Sequence, residues 1–158
     1  MGLVALQASW VHGNAMVVEN PENLSRNGHF GWGSDVDITP GKSSWFHIAV
    51  PTPVIVNDVR TNLVRVFVLF KTDVGFGRLS RVHVWDASGG PIQQFENLAA
   101  EGEHRTGLDG QNTFNLDQPH SVAFGIGISF FVVAAIGFDT PIAPSRLILG
   151  TAGGDFTT

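Results

Sequence analysis

The sequence predicts an all-β chain folded as an antiparallel β-sandwich, jelly-roll-like, with about ten strands. Three observations carry this. Apolar residues rarely recur at the i, i+3, i+4, i+7 spacing that an amphipathic helix needs. Nineteen Gly and eight Pro interrupt the chain throughout and leave little room for long helices. Short runs rich in β-branched and aromatic residues recur instead, each bounded by Gly, Pro, Asn or Asp.

In chain order, strands are expected near 3–10, 14–19, 34–38, 44–50, 53–59, 62–71, 77–86, 91–96, 112–116, 120–137 and 145–150. Neither a linker nor an internal repeat divides them, so one domain spanning 1–158 is expected. The middle of the chain is the clearest. From Leu63 to Lys71, Val64, Val66, Val68 and Phe70 share one face, and Arg65, Phe67, Leu69 and Lys71 share the other. In the next run Val82 and Val84 alternate with Arg81, His83 and Trp85. Pairing the two runs as neighbours through a turn at Thr72–Gly77 predicts one apolar face and one face carrying Arg65, Phe67, Arg81, His83 and Trp85. Aromatic and Arg residues on one face are typical of interfaces, which predicts a homo-oligomer.

The segment Ser121–Phe138 contains no charge and is long enough to raise the question of a membrane span. Its first half alternates large and small residues, however, and this period of two marks a strand. Ala123, Gly125, Gly127 and Ser129 form its small-residue lane, against which an aromatic ring from a neighbouring strand is expected to lie.

Composition narrows the function. Net charge is −5, and Lys occurs only at Lys42 and Lys71. Binding to nucleic acid requires clustered cations, and so does a polybasic membrane anchor; neither partner is expected. The absence of Cys excludes thiolate nucleophiles, disulfides and Cys-ligated zinc. The first residues lack the charged start and apolar run of a signal peptide, so the default expectation is a cytoplasmic protein. Nucleophile-elbow and phosphate-loop patterns are missing, so no catalytic residue and no cofactor are expected.

Three of the four Trp residues lie in Trp10-Val11-His12-Gly13-Asn14, Gly31-Trp32-Gly33 and Ser44-Trp45-Phe46-His47. Trp faces stack on sugar rings, and His and Asn supply directed hydrogen bonds. Trp10, His12, Asn14, Trp32, Trp45 and His47 are therefore the candidate ligand-binding residues for a carbohydrate or small molecule. The competing structural reading places the same Trp residues in the core. The stretch Gly41–His47 resembles the opening of a cupin motif, but Ala49 stands where a second His belongs. A metal-dependent enzyme using His47 with His83 or His120 is thus only a third reading, and no metal ligands are assigned. Asp35 and Asp37 alternate on one strand and read as a solvated edge.

The strings SWVHGN (9–14), GWG (31–33) and WFHIAVPTPVIV (45–56), with TAGGDF (151–156), resemble those of small bacterial all-β proteins grouped as a domain of unknown function. The resemblance covers most of the chain. It implies an all-β fold and no activity, and it implies that the Trp/His/Gly cluster and the Pro-Thr-Pro turn are family features. The functional expectation is a non-catalytic β-sandwich that self-associates, with any ligand site near the Trp/His cluster.

Overall fold

Fourteen strands form in the computed structural model, which describes residues 6–87, 89–134 and 143–158. They are β1 (Leu6–His12), β2 (Val17–Val18), β3 (Leu24–Phe30), β4 (Gly33–Ile38), β5 (Ser43–Ala49), β6 (Ile55–Val56), β7 (Val59–Arg60), β8 (Asn62–Thr72), β9 (Gly77–Asp86), β10 (Gln93–Phe95), β11 (Glu103–His104), β12 (Thr113–Ser121), β13 (Ile126–Ala134) and β14 (Ser145–Thr157). Two single-turn 3-10 segments, Gly13–Ala15 and Pro21–Asn23, are the only helical pieces among the described residues.

The antiparallel β-sandwich is as the alternation predicted. A seven-stranded sheet runs β11-β8-β14-β4-β3, with β1 also on β14 and β12 also on β8. A five-stranded sheet runs β10-β9-β13-β5-β2, and β6–β7 is a separate hairpin. The inner faces meet in one core. Phe46, Ile48, Val82, Val84, Ile128 and Phe130 come from the smaller sheet, and Val36, Leu63, Val66, Val68, Leu147 and Phe156 from the larger.

The expected pairing of the two central runs is overturned. β8 lies in the seven-stranded sheet and β9 in the five-stranded one. Each strand has one apolar face, and stacking those faces across the sandwich buries both without a further layer. The edges of β8 are taken by β14 on one side and β11 and β12 on the other, while β9 lies between β13 and β10. Arg65 and Phe67 are therefore on the opposite sheet from Arg81, His83 and Trp85, and the single aromatic-basic face does not exist. Phe67 is fully buried. The inner face of β8 also differs by one residue. The register shifts between Leu63 and Arg65 against both β12 and β14, which is a β-bulge. Leu63 takes the core position and Val64 is displaced to a half-buried one.

Strand ends were less legible. The run expected over 120–137 begins only at Ile126, since Ser121 closes β12 and residues 122–125 turn. Its last residues, 135–137, lie outside the described residues, as do 3–5 of the first strand. β3 and the second half of β14 were missed, because Arg26, Asn27, Gly28 and the Gly153-Gly154 pair do not resemble strand interiors.

Glycine explains how β14 changes partner. It pairs with β4 up to Leu149 and with β1 from Thr151, so two strands lie end to end along one edge. A Cβ on Gly13 would sit 1.9 Å from the Leu149 carbonyl oxygen, and one on Gly33 2.2 Å from the same atom. Gly33 also has a φ of 140°, which other residues rarely adopt. Gly13→Ala should therefore lower stability by about 3 kcal/mol, because backbone must move to admit the methyl. Urea unfolding checks this, with Gly31→Ala as a control because open space surrounds that position.

Candidate functional site

The six candidate ligand residues separate into two groups on opposite sheets. Trp10, His12, Asn14 and Trp32 form the first, where β1 and β4 meet along β14. His12 Nδ1 accepts from the Asn14 backbone N–H at 3.1 Å, so Nε2 carries the proton and donates to the Gly31 carbonyl at 2.9 Å. Asn14 Nδ2 donates to the Phe30 carbonyl at 2.6 Å. His12 and Asn14 thus brace the β3–β4 turn and are spent on the fold. The turn carries Trp32 stacked on Phe30, with ring centroids 4.9 Å apart. Trp10 lies beside Gly153 in register, and its ring closes over buried Phe67 with centroids 4.0 Å apart. Trp10, Phe30 and Trp32 remain 45%, 44% and 49% exposed.

Trp45 and His47 belong to the second group, on the outer face of the five-stranded sheet, and the structure brings His83, Trp85 and Arg81 to the same face. Register defines its rows across β5, β13 and β9. They are Trp45–Phe131–Arg81, then His47–Ser129–His83, then Ala49–Gly127–Trp85. The first row is filled. Trp45 packs on Phe131 at 4.9 Å and on His83 at 4.8 Å between ring centroids, and the Arg81 guanidinium lies 5.3 Å from the Phe131 centroid. The middle row is polar. His47 Nδ1 is 2.8 Å from Ser129 Oγ and Nε2 is 3.2 Å from Glu19 Oε2, while His83 Nε2 is 2.7 Å from Glu96 Oε1.

The third row is empty at its centre. A Cβ built on Gly127 would meet nothing within 4 Å. The aromatic ring expected on the small-residue lane is not on it; Trp85 stands to one side as a wall. The resulting hollow has a volume of about 380 Å³ and is bounded by His47, Ala49, Trp85, Gly127 and Ser129. Trp85 Nε1 is buried and has no hydrogen-bond partner among the described residues.

Every His has a partner. Besides those above, His29 meets Ser34 at 3.0 Å, His104 meets Asp109 at 2.7 Å and His120 meets Asp86 at 2.7 Å. Among the described residues no three His, Asp or Glu side chains gather into a metal-binding group. His120, offered above as a partner of His47, pairs with Asp86 instead.

Two carboxylate centres escaped the sequence. Asp35 is buried, contrary to the solvated edge expected, and sits between two arginines. Arg146 holds it through two bonds of 2.9 and 2.6 Å, and Arg26 through one of 2.6 Å while also reaching Asp37. The Arg146 guanidinium, with Arg26 beside it, keeps the Asp35 carboxyl below the usual aspartate range despite burial. Alternation placed Asp35 on a face but could not show Arg146, 111 residues away.

Asp86, at the end of β9, accepts the backbone N–H groups of Ala123, Phe124 and Gly125 at 2.6, 2.9 and 2.9 Å. This cradle sets the turn that aims β13 at the site. Burial works to raise the Asp86 pKa, but the Ala123 N–H, His120 and the two further N–H donors outweigh it, and the carboxyl is held well below its ordinary range.

A family model described as a family of unknown function (DUF6623) matches residues 4–137. No curated protein matches the sequence. A solved structure from the infectious bursal disease virus Gx strain aligns at 12% identity with a TM-score of 0.27, covering 98% of this chain and 41% of that one.

The lowered Asp86 pKa makes a pH prediction. Its stabilisation is complete above the ordinary aspartate value of 3.8 and is withdrawn as pH falls below it toward the depressed folded value. Asp86→Asn should cost about 2 kcal/mol at neutral pH, because donors to a buried carboxylate lose their charged acceptor. Urea melts at pH 7 and pH 3 check this: the gap between wild type and variant should narrow in acid.

Proposed function

The chain belongs to that family of unknown function, and from its surfaces we propose a non-catalytic binding module whose site is the hollow over Gly127. One observation carries the reading: the centre of an otherwise filled sheet face is empty, flanked by an aromatic wall and a polar row. Its volume falls within the range of small-molecule sites, roughly 300–1,000 Å³. The Glu19–His47–Ser129 chain has the order of an acid–base–nucleophile relay. Acyl transfer also needs free N–H donors for the oxyanion. Ser129 lies mid-strand with β5 and β9 paired on either side, so the nearby backbone N–H groups are engaged in ladders. Recognition fits that chain better than catalysis.

Self-association is the second reading, favoured by the three exposed rings Trp10, Phe30 and Trp32 on the seven-stranded sheet. The hollow is on the other sheet, so one surface does not preclude the other.

Two measurements test these readings. Gly127→Val should be at least as stable as wild type, since Val suits a strand better and its Cβ meets no atom within 4 Å. In saturation-transfer NMR, wild type should bind cyclohexanol or indole and the variant should lose that binding; binding that survives the substitution would refute the site. Native mass spectrometry of Trp10→Ser with Trp32→Ser should show a smaller assembly than wild type. Equal masses would remove the second reading.

A further inference from the structure

We propose that the loop Gly107–Gln111 is a pH-operated flap, held tight by a protonated His104 and loosened when that histidine loses its proton. Both ring nitrogens of His104 face oxygens that can only accept. Nε2 is 2.8 Å from the Glu101 carbonyl oxygen, and Nδ1 is 2.7 Å from Asp109 Oδ2. Neither a carbonyl nor an ionised carboxylate has a proton to give, so both nitrogens donate, which only the imidazolium does. A neutral ring keeps one proton and sets a lone pair against an oxygen at the other contact. His12 differs, because its Nδ1 accepts from a backbone N–H and the neutral ring serves it fully. Asp109 passes the constraint to the loop. Its Oδ1 accepts the backbone N–H groups of Gln111 and Asn112 at 2.7 and 3.0 Å, so one carboxylate joins the histidine to the turn. Asn112 pins the base by donating to the His104 and Gly107 carbonyls. Gly110 and Gln111 form one side of a crevice of about 210 Å³, which Leu98, Ala99, Ala100 and Phe114 complete.

The charges around the imidazole favour its cation. The Asp109 and Glu103 carboxylates both act in that direction. Glu103 is itself bound by Arg105 and lies opposite Lys71 of β8 in register. The Glu101 carboxylate is taken up by Arg78 and the Gly75 N–H. β8 otherwise presents the uncharged ring of Phe70, 5.2 Å from His104 between centroids. Burial works to lower the His104 pKa, but Asp109 and the Glu101 carbonyl outweigh it and hold it above the ordinary value of 6.5. Burial works to raise the Asp109 pKa, but His104 and the two N–H donors hold it below the ordinary 3.8. A raised histidine stabilises fully below 6.5 and a depressed aspartate fully above 3.8, so the contact is complete between those values. It is withdrawn as pH rises through the folded His104 value, or falls through that of Asp109.

Long-range proton–nitrogen NMR of the imidazoles and hydrogen exchange of the whole chain, read as protection factors, test this. At pH 6 both His104 nitrogens should carry protons, and the ring should titrate above 6.5. Between pH 6 and pH 9 the protection of the Gln111 and Asn112 amides should fall about tenfold, as for the loss of one charge-assisted hydrogen bond. Amides of β8 and β13 should keep theirs, which separates loosening of the flap from unfolding. In Asp109→Asn the side-chain oxygen still accepts both N–H groups, yet His104 should titrate lower and the loop should lose its pH dependence. His104→Gln should leave the loop at the lower protection at both pH values. One unprotonated His104 nitrogen at pH 6, or equal loop protection at pH 6 and pH 9, would overturn the flap.

Discussion

Ile126, Ile128, Phe130 and Val132 commit one face of β13 to the core, and the position of every residue in the site follows from that commitment. Burying one such side chain is worth about 1.5–3 kcal/mol. A slip of one residue would expose all four, a loss of roughly 6–12 kcal/mol, comparable with the whole stability of a typical domain. The register is therefore fixed by the interior. Gly127, Ser129 and Phe131 are left facing outward, opposite Ala49, His47 and Trp45 on one side and Trp85, His83 and Arg81 on the other. The hollow is the outer consequence of an inner requirement: alternation permits a glycine at 127 because the core makes no demand there.

The seven-stranded sheet meets a different constraint. β14 supports two strands end to end on one edge, and the chain must cross close to the Leu149 carbonyl to manage it. Gly13 and Gly33 provide that clearance, while His12, Asn14 and Ser34 tie the adjoining segments together by side-chain hydrogen bonds. The Trp-His-Gly strings thereby have a physical role in folding. Their aromatic members are what remains outside once the junction closes.

Ion pairs occupy the outer faces without uniting them. Arg26, Asp35 and Arg146 link β3, β4 and β14, and Arg65 pairs with Asp155 between β8 and β14. Asp35 and Asp155 are both buried; Asp35 is held by two arginines, whereas removing Arg65 alone would strand the Asp155 charge. These networks hold neighbouring strands in register on the side of the sheet that the core does not police.

The class of fold was legible from local pattern, because the period of two in Leu63–Lys71 and Ile126–Phe130 reports a strand whatever its neighbours are. The residues of the site were also legible as types: Trp45, His47, His83 and Trp85 all drew notice. Their grouping was not. An apolar strand face can be buried by a neighbour in the same sheet or by a strand stacked across a core, and the local sequence is the same in both cases. The choice for β8 and β9 depended on which edges distant β13 and β14 occupied. Likewise, nothing local distinguishes a glycine covered by an aromatic ring from one facing open space. The sequence by itself determined that this chain forms a sandwich of antiparallel strands, through alternation and turn chemistry. Only the tertiary structure decided which strands share a sheet and where a hollow opens, because long-range pairing and core burial are settled between segments that no local pattern connects.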